Sequence, residues 1–473
     1  MRAQNTEGQA GSLIERVTGV VRQRIANRTL AAGDRLPSIR VMAEAMSVSA
    51  STVVEAYDRL AADGTIRARR GSGFYVATNT LPALSLAGGQ ARLERDIDPF
   101  WVSSQSLDVD PSALKPGCGW LPADWMPVDA IRKALRALTR AGNTVLTDYG
   151  TTRGASVLRR LLAARCASDG LEISPDCILL TGSATQSVDL ICRLLLRPGD
   201  TVLVDDPCYF NFRALLRAHQ VKIIGAPWTQ AGPDISTFER LAASEKPRLY
   251  VTNSALHNPT GATMSAQNAH KVLVAAAAND ITIIEDDTFV DFEPEPSARL
   301  AVFDGLDRVI RVGSFTKTLS AAARCGFIAA RQDWIDELAN LQLASNFGGP
   351  SPISAEIVTT LLAGGSYRKH IEHLRHRLLK AQRETLTRLA TIGIEPWTLP
   401  RGGFNLWCSL PGDVNSSEMA RRALEDGMVL APGNIYSASQ SAANYMRLNA
   451  AQCGDASLMA KLERAMNRAM DRA

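Results

Sequence analysis

The sequence predicts two domains of different class: a small helical one closed by a β-ribbon, and a larger α/β one built on a largely parallel sheet. Three observations carry this. A chain of 473 residues is too long for one ordinary domain. Its first 77 residues hold three helical periods, then two short apolar stretches around a basic, glycine-containing tip. Beyond about residue 110, short apolar runs alternate with helix-length segments, as in strand–helix–strand units.

Composition narrows the function classes. The hydrophobic fraction of 46% and the charged fraction of 21% are those of a globular protein. No apolar run reaches the length of a membrane span, and the polar N-terminus lacks a signal-peptide pattern, so a cytoplasmic location is expected. The eight cysteines form no CxxC pairs and read as buried thiols, not as a disulfide or zinc framework. Net charge is +4, and residues 1–77 alone hold eleven arginines against seven acidic residues. The positive excess therefore sits in the small domain and points to an anionic partner there.

Leu13, Val17, Val21 and Ile25 recur every four residues and give one apolar helix face. Gly33-Asp34 breaks that pattern, and Leu36-Pro37-Ser38 reads as a helix start with Ile39, Ala43 and Met46 facing inward. The hydroxyls of Ser49-Ala50-Ser51-Thr52 suit the N-terminus of a third helix, with Val53, Ala56, Tyr57 and Leu60 as its buried stripe and an end near Asp63-Gly64. Thr65–Ala68 and Phe74–Ala77 read as short strands flanking Arg69-Arg70-Gly71-Ser72-Gly73. That order is a winged helix-turn-helix, which places its third helix in the DNA major groove and its wing on the backbone. A small helical interaction module with a solvated basic hairpin is the other reading of these residues. The GSG lies between strands and opens no helix, so it is not a dinucleotide fingerprint. From Leu36 to Val76 the wording resembles the DNA-binding domain of GntR-type bacterial regulators. The resemblance implies DNA contacts by Arg35, Arg40, Ser49, Ser51 and Thr52, with Arg67, Arg69 and Arg70 near the wing. Ala50 stands where many relatives carry a basic or amide residue.

Residues 78–110 lack a clear period, contain Pro82, Gly88-Gly89 and Pro99, and read as a linker with a short helix near Ala91–Asp96. In residues 111–473 the expected strands are Cys177–Thr181, Val202–Asp205, Val221–Ala226, Leu249–Asn253, Ile281–Glu285, Val309–Val312 and Cys325–Ala330. Thr185–Leu196 and Ser265–Asn279 are among the helices between them, and ligands of such sheets bind beyond strand ends. Helical patterns dominate from about Ile335, and a mixed segment from Gly393 suggests a smaller α+β subdomain. His370, His373 and His376 step by three, drift round a helix and sit among arginines and a lysine, so they read as a solvated face and not a metal site. His219, His257 and His270 form no visible triad, which leaves Ser/His/Asp hydrolysis without support.

The chemistry is concentrated in Gly313-Ser314-Phe315-Thr316-Lys317-Thr318-Leu319-Ser320, closed by Arg324. A lysine among hydroxyls, just past an apolar strand, can form a Schiff base with an aldehyde once its pKa is lowered. Ser314, Thr316 and the Arg324 fork suit a phosphate, and an aldehyde carrying a phosphate is pyridoxal phosphate. On these residues alone, a solvated loop lysine is an equal reading.

This stretch closely resembles the cofactor-lysine motif of fold-type I aminotransferases, and the likeness extends over roughly residues 111–473. It implies Lys317 as the catalytic, cofactor-bonded lysine, and a phosphate held by the N–H groups of Ser183, Ala184 and Thr185 at a helix start. Tyr209 in DPCY would lie over the pyridine ring, and Asn258 in NPTG would hydrogen-bond its phenolic oxygen. Asp286 would pair with the protonated ring nitrogen, which keeps the ring an electron acceptor. Glu285–Asp287 read generically is an acidic cluster for a metal. Tyr149 in DYGTTRG would reach the neighbouring subunit's phosphate, implying a homodimer, and Arg447 would clamp an amino acid's α-carboxylate. Relatives usually carry tyrosine where this chain has Thr288, so Asn258 is expected to be the main partner of the phenolic oxygen.

A GntR-like reader ahead of an aminotransferase-like domain resembles the MocR subgroup of bacterial transcriptional regulators. That implies a regulator that binds double-stranded operator DNA and senses an amine, an amino acid or pyridoxal phosphate itself. The alternatives are a functioning aminotransferase with an accessory DNA-binding domain, and a cofactor-binding scaffold without DNA affinity.

Overall fold

The structure is a computed structural model that describes residues 13–26, 29–30, 33–69, 72–77, 99–110 and 112–470. The chain divides into two compact units, Met1–Arg95 and Asp96–Ala473. Among the described residues no helix is long and apolar enough to cross a membrane. All eight cysteines are free thiols, and all but Cys177 are buried.

The first unit holds α1 (Leu13–Ala26), α2 (Ile39–Met46), α3 (Ala50–Ala62) and the antiparallel ribbon β1 (Ile66–Arg69) and β2 (Gly73–Val76). Val17 and Val21 of α1 meet all four expected residues of α3, together with Leu36, Ile66 and Val76. Helix α2 buries Met42, which the sequence pattern omits, and keeps Ile39, Ala43 and Met46 partly buried beside it. These four stand at i, i+3, i+4 and i+7, so Met42 completes one apolar stripe. Ser38 caps α2 and Ser49 caps α3, their hydroxyls accepting from Val41 N and Thr52 N. Ser47 turns the chain between the two helices with φ +53°. Tyr57 donates to Pro37 O at 3.0 Å, which ties α3 to the start of α2. This is the winged helix-turn-helix.

The second unit opens with α4 (Pro99–Asp108), which corrects the reading of 78–110 as linker throughout. Trp101 and Val102 are buried with Phe210, Trp407 and Tyr436. Proline at the first turn is a helix-start signal, but Gln105 and Ser106 occupy buried positions and erase the apolar stripe. The helix expected near 91–96 lies outside the described residues.

The main sheet has eight strands in the order β3–β10–β9–β8–β7–β4–β5–β6. They are β3 (Ile178–Thr181), β4 (Thr201–Asp206), β5 (Lys222–Thr229), β6 (Gly232–Pro233), β7 (Leu249–Thr252), β8 (Thr282–Asp286), β9 (Val309–Ser314) and β10 (Gly326–Ala329). All seven expected strands are there. Strands β5, β4, β7, β8 and β9 are mutually parallel, whereas β10 runs against both β9 and β3. Alternate residues enter two cores, Leu203, Tyr250 and Ile283 on one face and Val202, Val251 and Ile284 on the other. Burial on both faces is why these strands read as unbroken apolar runs. Because β10 is antiparallel to both neighbours, β3 points the same way as β9. The carboxyl ends of β3, β4, β7, β8 and β9 therefore meet at one edge, where α5 (Ala184–Leu195) and α6 (Phe210–Ala218) begin after β3 and β4.

The smaller subdomain is a four-stranded antiparallel sheet, β11 (Glu395–Pro396), β12 (Asn405–Ser409), β14 (Tyr445–Asn449) and β13 (Ala431–Pro432). Helix α7 (Ser366–Ala390) places Ile371, Leu374 and Leu378 in the core of the main sheet and Leu389 in the smaller core.

Candidate functional site

The gathered strand ends open onto a cavity of about 350 Å³. Lys317 lies just past β9, and its Nζ donates to Gly119 O at 2.6 Å. Burial, and then the nearby Arg447 charge, pull its pKa down from the ordinary lysine value to about 8. A neutral, nucleophilic amine is thus within reach near physiological pH. Ser314 Oγ and Thr316 Oγ1 are 2.8 Å apart. Behind the lysine, Tyr367 donates to Thr318 Oγ1 at 3.0 Å and His370 donates to Thr318 O at 2.8 Å. Of the three histidines expected on a solvated face, His373 and His376 are exposed, and His370 turns inward to hold this loop.

Ser183 caps α5, accepting from Gln186 N at 3.1 Å, and Ser183, Ala184 and Thr185 line the cavity at this helix start, where first-turn N–H groups lack helical partners and suit an anion. Close approach is needed here. A Cβ on Gly326 would lie 2.9 Å from Gly313 O and 3.0 Å from Ser183 C, which only glycine avoids. Arg324, φ +42°, turns the chain so that it also lines the cavity.

Asp286 closes β8. Its Oδ1 accepts from Thr288 N at 3.0 Å and from Thr288 Oγ1 at 2.5 Å, and Asn253 Nδ2 donates to its carbonyl at 2.6 Å. Burial raises the Asp286 pKa, and the Thr288 hydroxyl opposes that rise. The short threonine side chain is thus committed to the carboxylate two residues back. The flanking acids face other partners: Asp287 pairs with buried Arg299 and Arg311, and Glu285 accepts from Leu300 N and Ala301 N at 2.9 Å each. The three acids therefore point to three separate sets of partners. Asn258 also lines the cavity, with a buried Oδ1 that has no protein partner. The Tyr209 ring packs edge-on to Phe212 at 5.4 Å, and its hydroxyl accepts from Asn211 Nδ2 at 3.1 Å.

Arg447 on β14 is 2% exposed. It donates to Gly117 O, and its guanidinium lies 5.6 Å from the Tyr436 ring centre. Its Nε has no partner, and among the described residues no carboxylate pairs with it. A Cβ on Gly119 would approach Arg447 Nη1 to 3.1 Å. The segment 117–119 therefore touches both Arg447 and Lys317, a role that sequence reasoning missed. Backbone carbonyl acceptors leave no residue-type signature.

One expected residue stands apart. Tyr149 is 78% exposed, packs at a tilt against Phe347 with ring centres 4.8 Å apart, and does not line the cavity of its own chain. In the first unit Arg35, Arg40, Ser49, Ser51, Arg67 and Arg69 are exposed and Thr52 partly so. Ser49 Oγ bonds Ser51 Oγ and Thr52 Oγ1 at 2.8 Å each, so these hydroxyls also stabilise the helix start. Arg69 lies over the Tyr75 ring at 4.6 Å. Arg70 is outside the described residues.

Residues 121–464 match the family described as aminotransferase class I and II, and residues 13–76 match the bacterial regulatory proteins of the gntR family. The chain is 28% identical to the uncharacterized HTH-type transcriptional regulator YdcR of Escherichia coli, over 91% of this chain and 93% of that one. It is 26% identical to the uncharacterized HTH-type transcriptional regulator YdfD of Bacillus subtilis, over 91% and 90%. With the HTH-type transcriptional regulator NorG of Staphylococcus aureus it shares 24% identity, over 86% and 93%. Among solved structures, LysN, an α-aminoadipate aminotransferase from Thermus thermophilus, superposes with a TM-score of 0.72 at 24% identity, over 82% of this chain and 99% of that one. Pyrococcus horikoshii kynurenine aminotransferase gives 0.71 at 24%, over 81% and 97%, and these two likenesses show the fold. The chain therefore belongs to the aminotransferase class I and II family and carries a gntR-family winged helix-turn-helix ahead of it, the domain order of MocR-type regulators.

Proposed function

We propose that this chain is a pyridoxal-phosphate-dependent transcriptional regulator: residues 1–77 bind operator DNA, and the large unit senses an amino acid or related amine. One observation carries the sensing half. Among the described residues, Arg447 is a buried cation with no carboxylate paired to it, in the same cavity as Lys317. A buried charge is costly unless paired, so the site is built for an anionic ligand.

The residues present fit pyridoxal phosphate. The α5 N-terminus, Ser314, Thr316 and Arg324 would hold the phosphate, Asp286 the ring nitrogen, Tyr209 the ring face and Lys317 the aldehyde. Asn258 lines the cavity, and its Nδ2 would donate to the phenolic oxygen; the Thr288 hydroxyl, held by Asp286, is not spare for it. When bound, the cofactor supplies an electron-accepting ring for changes at a ligand's α-carbon.

This chain's own residues do the rest. The Asp286 carboxylate would keep a proton at the ring nitrogen, and Lys317 Nζ, whose ammonium is disfavoured by burial, would be the base for a proton from the ligand. A bound amino acid would give Arg447 a carboxylate partner and leave the Lys317 amine free. Those contacts exist only in the liganded state, which is the free-energy difference that regulation needs. We place the protein in the cytoplasm as a homodimer, with the exposed Tyr149 reaching the neighbouring subunit's phosphate.

The test uses the full chain loaded with pyridoxal phosphate and a labelled duplex from upstream of its own gene. Anisotropy should report DNA binding that shifts with an amino acid, and single-turnover conversion to the pyridoxamine form should be slow, and faster in Thr288→Tyr. Rapid multiple turnover with an amino donor and a keto acid, without any DNA shift, would favour the enzyme reading.

A further inference from the structure

The charged side chains that line the cavity are Asp286, Lys317, Arg324 and Arg447; among the described residues there is no other. Under the sensor reading, on which this inference rests, all four are engaged, by the ring nitrogen, the aldehyde, the phosphate and the α-carboxylate in turn. Among the described residues of this chain none remains for a charge on the ligand's side chain. A second carboxylate or ammonium would lose water there without gaining a partner from them.

The rest of the wall is uncharged, polar at Ser103, Ser106, Asn211 and Asn253 and apolar at Val102, Leu107, Phe210 and Phe289. Val102, Ser103, Ser106 and Leu107 line the cavity at i, i+1, i+4 and i+5, so one face of α4 is turned to it. Val102 packs beside Phe210, and Phe210 and Phe289 line the cavity as well. Leu107 is 75% exposed, a large apolar side chain that the core leaves uncovered at the rim. We propose that the site takes an α-amino acid with one carboxylate and an uncharged, apolar side chain, and that Val102 and Leu107 contact that side chain. The helix that reads the ligand is also the first described element after the stretch that joins the large unit, in sequence, to the DNA reader.

The full chain loaded with pyridoxal phosphate is titrated with glycine, leucine, glutamate and lysine, following cofactor absorbance and melting temperature. Leucine should bind more tightly than glycine, and at least about tenfold more tightly than glutamate or lysine. Leu107→Arg should raise the glutamate-to-leucine affinity ratio about tenfold, and Leu107→Ala should lower the leucine-to-glycine ratio roughly three- to tenfold. Leu107 lies outside the core, so both variants should fold. Glutamate or lysine binding as tightly as leucine, or both ratios unmoved by the variants, overturns this inference and leaves the sensor reading standing. Absorbance and melting that neither these amino acids nor a simple amine changes would overturn the sensor reading, and this inference with it.

Discussion

Arg447 and Arg69 put the same side chain to opposite uses. Arg447 sits on β14, 2% exposed, and among the described residues no carboxylate pairs with it. Arg69 ends the first strand of the ribbon, exposed and stacked on Tyr75 at 4.6 Å. A buried cation in a low-dielectric cavity makes one geometrically specific demand, and meeting or removing it moves affinity strongly. An exposed cation is screened and acts through the sum of many phosphate contacts. The two units should therefore respond to mutation on different scales.

The sharpest test is on the cavity side. Borohydride treatment of the cofactor-loaded protein should fix the label on Lys317, and Lys317→Ala should lose it entirely; a peptide map placing the label on another lysine would refute the site. Next in size is Arg447→Ala. Amino-acid affinity, read from cofactor absorbance, should fall about a hundredfold, while a simple amine without a carboxylate should change by less than about threefold. An equal loss for both ligands would mean that Arg447 only supports the fold.

A pH profile sharpens the comparison further. Burial disfavours the Lys317 ammonium, so the neutral amine appears as pH rises through about 8, well below the ordinary lysine range. The rate at which cofactor-free protein captures pyridoxal phosphate should rise about tenfold per unit below that value and level off above it. A midpoint near 10 would show that the cavity does not desolvate the lysine. The smallest effect belongs to the reader. Changing Arg67 and Arg69 together to alanine should make the slope of log affinity against log salt shallower by about two. An unchanged slope in anisotropy measurements would remove the ribbon from the DNA contacts.

Most of the cavity was legible before any geometry. Ser183, Asp286 and Lys317 lie just past or at the ends of apolar runs, and in a parallel sheet those ends gather at one edge. Met42 escaped because the pattern read along α2 omitted the centre of its stripe. Helix α4 escaped for a different reason: Gln105 and Ser106 are buried where apolar residues would have announced a helix.

By itself the sequence determined two domains, seven of the eight strands of the main sheet and the residue types that meet at its edge. These depend on local periodicity and on motifs a few residues long. Only the tertiary structure decided that α4 walls the cavity, that Thr288 serves Asp286, and that among the described residues no carboxylate pairs with Arg447. Arg447 and its acceptor Gly117 are 330 residues apart, and the acceptor is a backbone carbonyl that any residue would offer. Pairing and burial are properties of neighbours, and distant segments become neighbours only when the chain folds.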